Sequence, residues 1–352
     1  MVYPQLSINL ELIKSNAISV IKECDKRNMD LVAVEKLVAG DVKVAQTLID
    51  AGIKTIADSR VFNLKKLQNI NAKKMLLRIP MMSEIKELVK FVDVCLVSEI
   101  EVIKEIDKQT KSVIEVILMI ETGDIREGLW GNKVIFDTVQ QILKLKNIKL
   151  TGIGTNFACF GATVPTITKM QEMSVLKKKI EERFGINIPI ISAGNSSHIS
   201  IWDDKKMPKD INQIRCGSAI LMGFGLNNEP IPFVKMGTFK LNAEIIELQY
   251  KPSASWGKKG LDAFGKEKEF KDIGVRKKVI IALGRQDCPF EELTPLNKDI
   301  KILGQSSDHT ILDITDCREN YKIGDIISFD LEYLGVLCSI TSEFVHKKYI
   351  EK

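Results

Sequence analysis

Short apolar runs alternate with longer amphipathic stretches over the first part of the chain. The runs are continuous, without alternation of apolar and polar residues, which is typical of parallel strands buried on both faces of a sheet. The stretches between them repeat apolar residues at three- and four-residue steps, as in residues 10–27, which predicts amphipathic helices. Eight apolar runs are predicted to be strands: residues 31–34, 53–57, 75–78, 92–97, 114–120, 150–154, 186–191 and 211–214. Eight strand–helix units in about 225 residues predict a (β/α)8 barrel.

The pattern changes after Gly225. Pro230 and Pro232 indicate a linker, and helical periodicity is weak beyond it. Apolar and polar residues alternate between turn signals in six further segments, which are predicted to be strands: residues 239–248, 278–283, 300–303, 310–315, 326–331 and 337–341. The sequence therefore predicts an α/β fold, with an N-terminal (β/α)8 TIM-like barrel over residues 1–228 and a C-terminal β-rich domain over residues 229–352.

Composition agrees with two domains and narrows the range of partners. The chain has 352 residues, of which 45% are hydrophobic, enough for a sizeable core. The net charge of +5 is spread without a basic block, so no nucleic-acid partner is expected. No apolar run reaches the roughly 18 residues of a membrane span, and the first residues lack the pattern of a signal peptide. We therefore expect neither a nucleic-acid partner nor a membrane.

The cysteines bear on the compartment and on metal binding. Seven cysteines are scattered along the chain, and none forms a C-x-x-C pair. An odd number without paired spacing fits reduced thiols in a cytoplasmic protein better than disulfides or a zinc site. The sequence predicts a cytoplasmic protein without a metal.

The first predicted strand ends in a charged pair, Glu35-Lys36. A partly desolvated lysine has a lowered pKa and, as a neutral amine, forms a Schiff base or takes up a proton. The commoner use of a lysine at a strand end is to reach solvent, because buried lysines are rare. Lys36 is therefore a candidate nucleophile whose role depends on its surroundings.

Other polar residues follow the predicted strands, at the barrel end where active sites lie. They are Lys36, Asp58, Arg60, Arg78, Arg126, Asn156, Asn195, Ser196, Arg215 and Gly217. The loops after strands seven and eight, at residues 194–197 and 215–218, are small and hydroxyl-bearing, and barrels commonly hold a phosphate there. Either loop alone is more often a helix cap or a turn. Together with a lysine on strand one, they indicate a phosphate-bearing aldehyde cofactor such as pyridoxal 5′-phosphate (PLP).

Six segments carry a resemblance to a known family. They read VEK at 34–36, ETGDIREG at 121–128, TNFA at 155–158, NS at 195–196, RCGSAILMG at 215–223 and SSDHTILDIT at 306–315. In this order they resemble motifs of the alanine racemase family of PLP enzymes, and most closely its ornithine racemase branch. The resemblance covers nearly the whole chain and implies an amino-acid racemase.

The resemblance also implies roles for residues of the barrel. Lys36 matches the Schiff-base lysine, Arg126 the arginine beside the phenolic oxygen of PLP, and Arg215 the arginine that faces the pyridine nitrogen. Asn156 replaces a histidine that stacks on the ring. The residues that match the phosphate-binding positions are Asn195, Ser196, Gly217 and Ser218.

An arginine at the pyridine nitrogen has a chemical consequence. A guanidinium is always protonated and does not give its proton to the ring. An uncharged pyridine is a weaker electron sink, so the α-carbanion is reprotonated at the α-carbon, which favours racemisation over transamination. The alternative for Arg215 is an ordinary strand-end arginine paired with a carboxylate.

The chain departs from the family at the second base, which acts on the opposite face of the substrate. The family has a tyrosine in an S-Y-G segment of the partner's β domain, and residues 253–265 contain no tyrosine here. The G-Y-A-D-G segment is replaced by residues 284–288. Asp262, Asp287 and Cys288 are the candidates for this base, with a surface turn as the alternative for each.

The same region bears on the substrate. Segment 306–315 matches one that reaches into the partner subunit's active site, so the resemblance implies a homodimer with shared sites. Asp287 and Asp308 would bind a distal ammonium, with Ser307 and Arg126 as further substrate-binding residues. Two extra carboxylates favour ornithine or lysine over alanine.

The sequence thus predicts a PLP-dependent racemase of a basic amino acid, with ornithine expected as substrate. The alternatives are a racemase of lysine or alanine, a decarboxylase or aldolase of the same two-domain plan, and a non-catalytic PLP carrier. Decarboxylases of this plan have a cysteine that the segment at 306–309 lacks, and carriers have no second domain.

Overall fold

The computed structural model describes residues 2–262 and 264–351 and divides them into two compact units. The first unit is Leu10–Met236. The second combines residues 2–9 with the described residues from 237 to 351. The first strand of the chain, β1 (Gln5–Asn9), belongs to the second unit.

The first unit is a closed barrel of parallel strands, which confirms the predicted (β/α)8 fold. Its strands, in chain order and in order around the barrel, are β2 (Asp30–Val34), β3 (Thr55–Asp58), β4 (Lys73–Leu76), β5 (Val94–Val97), β6 (Ile114–Met119), β7 (Ile148–Thr155), β8 (Ile190–Ala193) and β9 (Gln213–Cys216). Each overlaps one of the eight predicted strands. Pairing of β2 with β9 closes the barrel.

Helices precede and separate these strands. They are α1 (Leu10–Asp25), α2 (Val42–Asp50), α3 (Val61–Lys66), α4 (Ile85–Phe91), α5 (Ile100–Gln109), α6 (Asn132–Ile142), α7 (Ile167–Phe184) and the short α8 (Ser218–Leu221). Local signals set their ends: the Asp41 side chain accepts hydrogen bonds from the amides of Lys43 and Val44, both at 3.0 Å, and so begins α2. Gly185, in the left-handed conformation, ends α7.

Apolar side chains fill the barrel interior. They come from successive strands: Val32, Val34, Ala57, Met75, Val94, Leu96, Ile117 and Met119. Because Val32 pairs with Arg215 across β2 and β9, the Arg215 side chain faces the same interior. The barrel therefore has an apolar centre with a buried guanidinium near the carboxyl ends of its strands.

The second unit contains a mostly antiparallel sheet, in agreement with the predicted β-rich domain. Its further strands are β10 (Phe239–Pro252), β11 (Val275–Ile281), β12 (Leu293–Pro295), β13 (Lys301–Gln305), β14 (Thr310–Asp313), β15 (Ile326–Leu331) and β16 (His346–Ile350). The sheet order is β12-β15-β10-β11-β14-β13, and β1 pairs with β10 and β16. Among the described residues, no helix is long and apolar enough to cross a membrane.

Three features differ from the sequence prediction. The prediction places residues 1–9 in the barrel, but β1 pairs antiparallel with β10 and its residues Leu6 and Ile8 are fully buried, which a local pattern cannot reveal. The unit boundary near the linker lies after Met236, beyond the predicted boundary at 228. The predicted strand at residues 337–341 lies in a helix, α9 (Tyr333–Thr341), because a short apolar run does not distinguish the two.

Candidate active site

Lys36 lies two residues beyond the end of β2, at the barrel end where the carboxyl ends of the strands meet. It begins a short 3-10 turn, Lys36–Val38, which ends at Ala39 in the left-handed conformation. The side chain is partly buried. Among residues 2–262 and 264–351, no hydrogen bond or ion pair of its ammonium is found. The amine is therefore available for chemistry at the barrel mouth.

Ser196 lies in the loop after β8 and joins it to the loop after β9. Its Oγ accepts hydrogen bonds from the backbone amides of Gly217 (3.3 Å) and Ala219 (3.2 Å). The Asn195 side chain fixes the first loop, since it accepts from the Ser197 amide and donates to the Phe157 carbonyl at 2.7 Å. One hydroxyl and two amides converge here, and these groups are suited to an anion.

The close packing of Gly217 ties this cradle to the lysine strand. A Cβ on Gly217 would lie 3.3 Å from both Cβ and the carbonyl oxygen of Val34, two residues before Lys36. Ser218 follows, partly buried, as the first residue of α8. Lys36 and the cradle therefore lie on neighbouring strand ends.

Arg215 is buried among polar groups of the neighbouring strands. Its Nη1 donates to Ser192 O (3.0 Å) and Ser192 Oγ (2.6 Å), and its Nη2 donates to Thr155 O (2.7 Å) and Asn156 Oδ1 (3.4 Å). Burial lowers the pKa of Arg215 to about 10, so the guanidinium stays protonated at neutral pH. Arg215 therefore meets the condition set out from the sequence, a cation that does not give its proton to a cofactor ring.

Arg126 lies in the loop after β6. Its guanidinium donates from Nε and Nη2 to the carboxylate of Glu127, and its Nη1 donates to Cys159 Sγ at 2.6 Å. Asp124 joins this loop to the one after β7, because its carboxylate accepts the amides of residues 159–161 at 3.1–3.3 Å. Asn156 donates from Nδ2 to Glu127 Oε1 at 3.2 Å. The structure thus brings Arg126, Asn156 and Arg215 into one connected set.

Two buried groups of the barrel, Glu35 beside Lys36 and His198 near Arg215, have no hydrogen-bond partner in the described part of the chain, and both were missed as site residues. Both carboxylate oxygens of Glu35 are unpaired, and burial, with Asp58 and Asp41 nearby, raises its pKa well above the ordinary value. Both ring nitrogens of His198 are unpaired, and burial followed by the charge of Arg215 lowers its pKa to about 4. The only signal for Glu35 in the sequence is an acidic residue directly after a buried run.

The candidates in the second unit have different surroundings. Ser307 and Asp308 are exposed at a loop tip, where Asp308 accepts from Gln286 Nε2 at 2.8 Å and from Ser307 Oγ at 2.7 Å. Asp287 is buried and accepts from Ser342 Oγ at 2.7 Å. The structure brings Ser307 and Asp308 together, whereas Asp287 faces the interior of its unit.

The remaining two candidates for a base have unfavourable surroundings for proton uptake. Cys288 is fully buried, and burial raises the pKa of its thiol to about 12, so it is a poor proton acceptor at neutral pH. Asp262 accepts the Lys266 amide, forms an ion pair with Lys268 at 3.1 Å, and has a lowered pKa for these reasons. Sequence spacing could not reveal either environment.

The barrel residues fit the cofactor predicted from the sequence. An amine without a partner suits an aldehyde, the Ser196 cradle suits a phosphate, and a buried charged guanidinium suits a ring nitrogen that accepts a hydrogen bond. A closed parallel barrel with these groups at one end belongs to the class of PLP-dependent barrel enzymes.

The comparisons with known proteins define the family. The chain matches the family described as "Alanine racemase, N-terminal domain" over residues 8–224. A lysine racemase from Thermotoga maritima is 40% identical over 99% of both chains, and an ornithine racemase from Acetoanaerobium sticklandii is 35% identical over 99% of this chain and 100% of that one. The chain therefore belongs to the alanine racemase family and is a PLP-dependent amino-acid racemase.

Solved structures agree on the fold. An alanine racemase from Clostridium difficile 630 superposes with a TM-score of 0.78 at 20% identity and covers 99% of this chain and 96% of that one. Another, from Bacillus anthracis, superposes with a TM-score of 0.76 at 17% identity and covers 100% of this chain and 96% of that one. At this level of identity the likeness concerns the fold.

Proposed function

We propose that the protein interconverts the L and D forms of a basic amino acid, with ornithine and lysine as substrates. The observation that carries this proposal is similarity over the whole length to two racemases named for basic amino acids. The exposed carboxylate of Asp308, held by Ser307 and Gln286, supports it as a group for a distal ammonium.

PLP, when bound, supplies an electron sink that makes the α-proton of an amino acid removable. In our proposal Lys36 holds the aldehyde and moves the proton at the α-carbon on one face of the substrate. Arg215 would face the ring nitrogen of bound PLP and would keep its own proton. Arg126 binds the substrate carboxylate. Asn195, Ser196, Gly217 and Ser218 hold the phosphate.

The second base belongs to the opposite face of the substrate. We propose that it comes from the second unit of a partner chain, in a homodimer with shared sites. Of the predicted candidates, the high pKa of Cys288 argues against the thiol, and the ion pair of Asp262 with Lys268 argues against that carboxylate, which leaves Asp287. With seven free cysteines and no disulfide among them, a reducing compartment such as the cytoplasm suits the chain.

The test of the activity is chiral chromatography of the PLP-loaded enzyme incubated with L-ornithine, L-lysine and L-alanine. We expect D-ornithine and D-lysine to form faster than D-alanine. Release of a diamine and carbon dioxide would instead indicate a decarboxylase. Turnover of L-alanine alone would contradict the proposed substrate class.

The test of the cofactor site is the visible absorbance of enzyme-bound PLP. Lys36→Ala is expected to abolish that absorbance and lower the racemisation rate by at least about a thousandfold, because the covalent anchor and one base are both removed. Lys54→Ala, which removes an exposed lysine elsewhere on the barrel, is the matched control. Unchanged absorbance in Lys36→Ala would show that another residue holds the aldehyde.

A further inference from the structure

Four side chains at the barrel mouth form one chain of contacts that joins two guanidinium groups. The chain runs from Arg126 to Glu127, from Glu127 to Asn156 and from Asn156 to Arg215. Glu127 occupies its centre, since one of its oxygens, Oε1, accepts from both Arg126 Nη2 (2.5 Å) and Asn156 Nδ2 (3.2 Å). Its side chain is 16% exposed, so the contacts are partly shielded from water.

The chemical type of each group sets the direction of every hydrogen bond along this row of four side chains. A guanidinium only donates and a carboxylate only accepts. The Asn156 amide therefore points its oxygen at Arg215 and its nitrogen at Glu127, as the structure has it. With a second acid at position 156 a carboxylate would face Glu127. With an amide at position 127 one of the two acceptor oxygens becomes an NH₂ donor, so either Arg126 Nε or the pair Arg126 Nη2 and Asn156 Nδ2 loses its acceptor.

We propose that Glu127 is a positioning residue of the racemase site, which holds the Arg126 guanidinium by one edge and orients the Asn156 amide toward Arg215. This inference rests on the proposed function, because the role assigned to Arg126 is to bind the carboxylate of an amino-acid substrate. Glu127 acts through these neighbours and touches no reacting atom in this role.

The hydrogen bonds of Arg126 leave one edge of its guanidinium for a substrate. Glu127 occupies the edge formed by Nε and Nη2, and Cys159 Sγ accepts from Nη1. The edge between Nη1 and Nη2 adjoins the one that Glu127 occupies, and it is the edge that a substrate carboxylate would bind. A bidentate partner fixes the plane of the guanidinium, so the edge offered to the substrate is fixed as well.

The charges agree with this arrangement. Arg126 and Arg215 carry like charges at the barrel mouth, and Glu127 contacts Arg126 directly and Arg215 through Asn156. Burial opposes the charge of Arg126, yet the bonds to Glu127 raise its pKa above the ordinary value, and Glu127 also counteracts the loss of charge on buried Arg215.

The experiment is a double-mutant cycle in the full-length, PLP-loaded enzyme. Glu127→Gln and Asn156→Asp are each expected to raise the KM for L-ornithine about tenfold, with a smaller fall in kcat, and to weaken PLP binding. In the double variant the amide nitrogen introduced at position 127 donates to the carboxylate introduced at position 156, which in turn accepts from Arg215. The order of donors is restored on this side, and the amide oxygen at position 127 still accepts from Arg126 Nε, so the rescue is partial. We expect the kcat/KM of the double variant to be at least about threefold higher than that of the worse single variant.

Controls separate positioning from loss of charge and from misfolding. Asp137→Asn, on the exposed face of α6, removes one negative charge from the same unit and is expected to leave both KM and PLP affinity unchanged. Far-ultraviolet circular dichroism of each variant checks folding. If Glu127→Gln does not fold, Glu127→Asp, which keeps the charge with a shorter reach, is expected to raise the KM by a smaller factor.

The outcomes distinguish this inference from the proposed function. Wild-type enzyme without activity on basic amino acids would reject the function, while the visible circular dichroism and dissociation constant of bound PLP would still report the effect of Glu127. Wild-type KM and PLP affinity in Glu127→Gln, or a double variant no better than the worse single variant, would overturn the inference.

Discussion

Glu35 and Lys36 are adjacent in the chain and have opposite surroundings. The Glu35 side chain is fully buried, while that of Lys36 is partly exposed and has no partner in the described residues. Asp58 lies close enough to Glu35 to raise its pKa and is itself buried, but it accepts from the Arg60 amide and Asn63 Nδ2. Burial disfavours the charged form of a carboxyl group without such partners, so Glu35 holds its proton to higher pH in the folded chain than in the unfolded chain.

Glu35→Gln is therefore expected to increase stability at neutral pH. In the unfolded chain Glu35 ionises near its ordinary pKa of 4.5, while in the folded chain it stays protonated to higher pH. The folded state then binds more protons, so the free energy of unfolding falls as pH rises above 4.5, by up to about 1.4 kcal/mol per pH unit until the folded pKa is passed. Urea unfolding of both proteins from about pH 5 to about pH 8 measures the difference in slope.

Glu172→Gln is the control for this prediction, since Glu172 is exposed on α7. It should follow the wild-type curve. A variant Glu35→Gln that is less stable than wild type at the upper end of this pH range would mean that Glu35 is ionised and paired in the folded protein.

Asp308 gives a second prediction at the scale of a residue. Asp308→Asn is expected to lower the ratio of ornithine to alanine turnover at least about tenfold, because a charged hydrogen bond contributes about 1.5–3 kcal/mol. Competition between the two amino acids, followed by chiral chromatography, measures the ratio. Asp330→Asn, which neutralises an exposed carboxylate on β15, is the control. An unchanged ratio in Asp308→Asn would remove this residue from substrate selection.

At the scale of elements, the loops of this fold are held in position by contacts with neighbouring loops. In the barrel, Asp124 holds the loop after β7 against the loop after β6. In the second unit, residues 284–288 pack on residues 306–309, where the Arg285 amide donates to the Ser306 carbonyl at 2.9 Å. Each loop therefore has a fixed neighbour, and its position is not set by its own sequence.

Gly284→Ala tests the packing of the loops in the second unit. A Cβ at this position would lie 1.7 Å from the Ser307 carbonyl oxygen, so the two loops must separate. We expect a loss of about 3 kcal/mol in the free energy of unfolding, measured in urea, together with loss of substrate selection at Asp308. Gly260→Ala is the control, because nothing lies within 4 Å of its Cβ. Wild-type stability in Gly284→Ala would contradict the close approach.

The whole molecule consists of two units with separate cores, and the chain enters the second unit first, through β1. In our proposal the barrel contains the residues that hold PLP. The predicted substrate and second-base residues of the second unit belong, in our proposal, to the site of a partner chain. The active species should accordingly be a dimer.

Sedimentation velocity of the PLP-loaded enzyme is expected to give twice the 39.6 kDa mass of one chain. Dilution to concentrations at which the mass halves should abolish racemisation while PLP absorbance remains, because Lys36 and the phosphate cradle are in one chain. Full activity at the mass of a single chain would contradict shared active sites.

The sequence by itself determined the eight barrel strands and the positions of Lys36, Ser196, Arg215 and Gly217 at strand ends. These follow from local patterns: a buried parallel strand is a continuous apolar run, and the loops after it carry the polar residues. The catalytic and binding roles stay predictions until the variants are measured.

Only the tertiary structure decided the rest, because it depends on groups far apart in sequence. The pairing of β1 with β10 joins the two ends of the barrel sequence, as when Ile8 pairs with Phe239, and burial alone sets the protonation of Glu35. The link from Glu127 through Asn156 to Arg215 needs the segments after β6 and β7 brought against strand β9 at one end of the barrel. Burial and hydrogen-bond direction are properties of neighbours in space, which a linear pattern of apolar and polar residues does not contain.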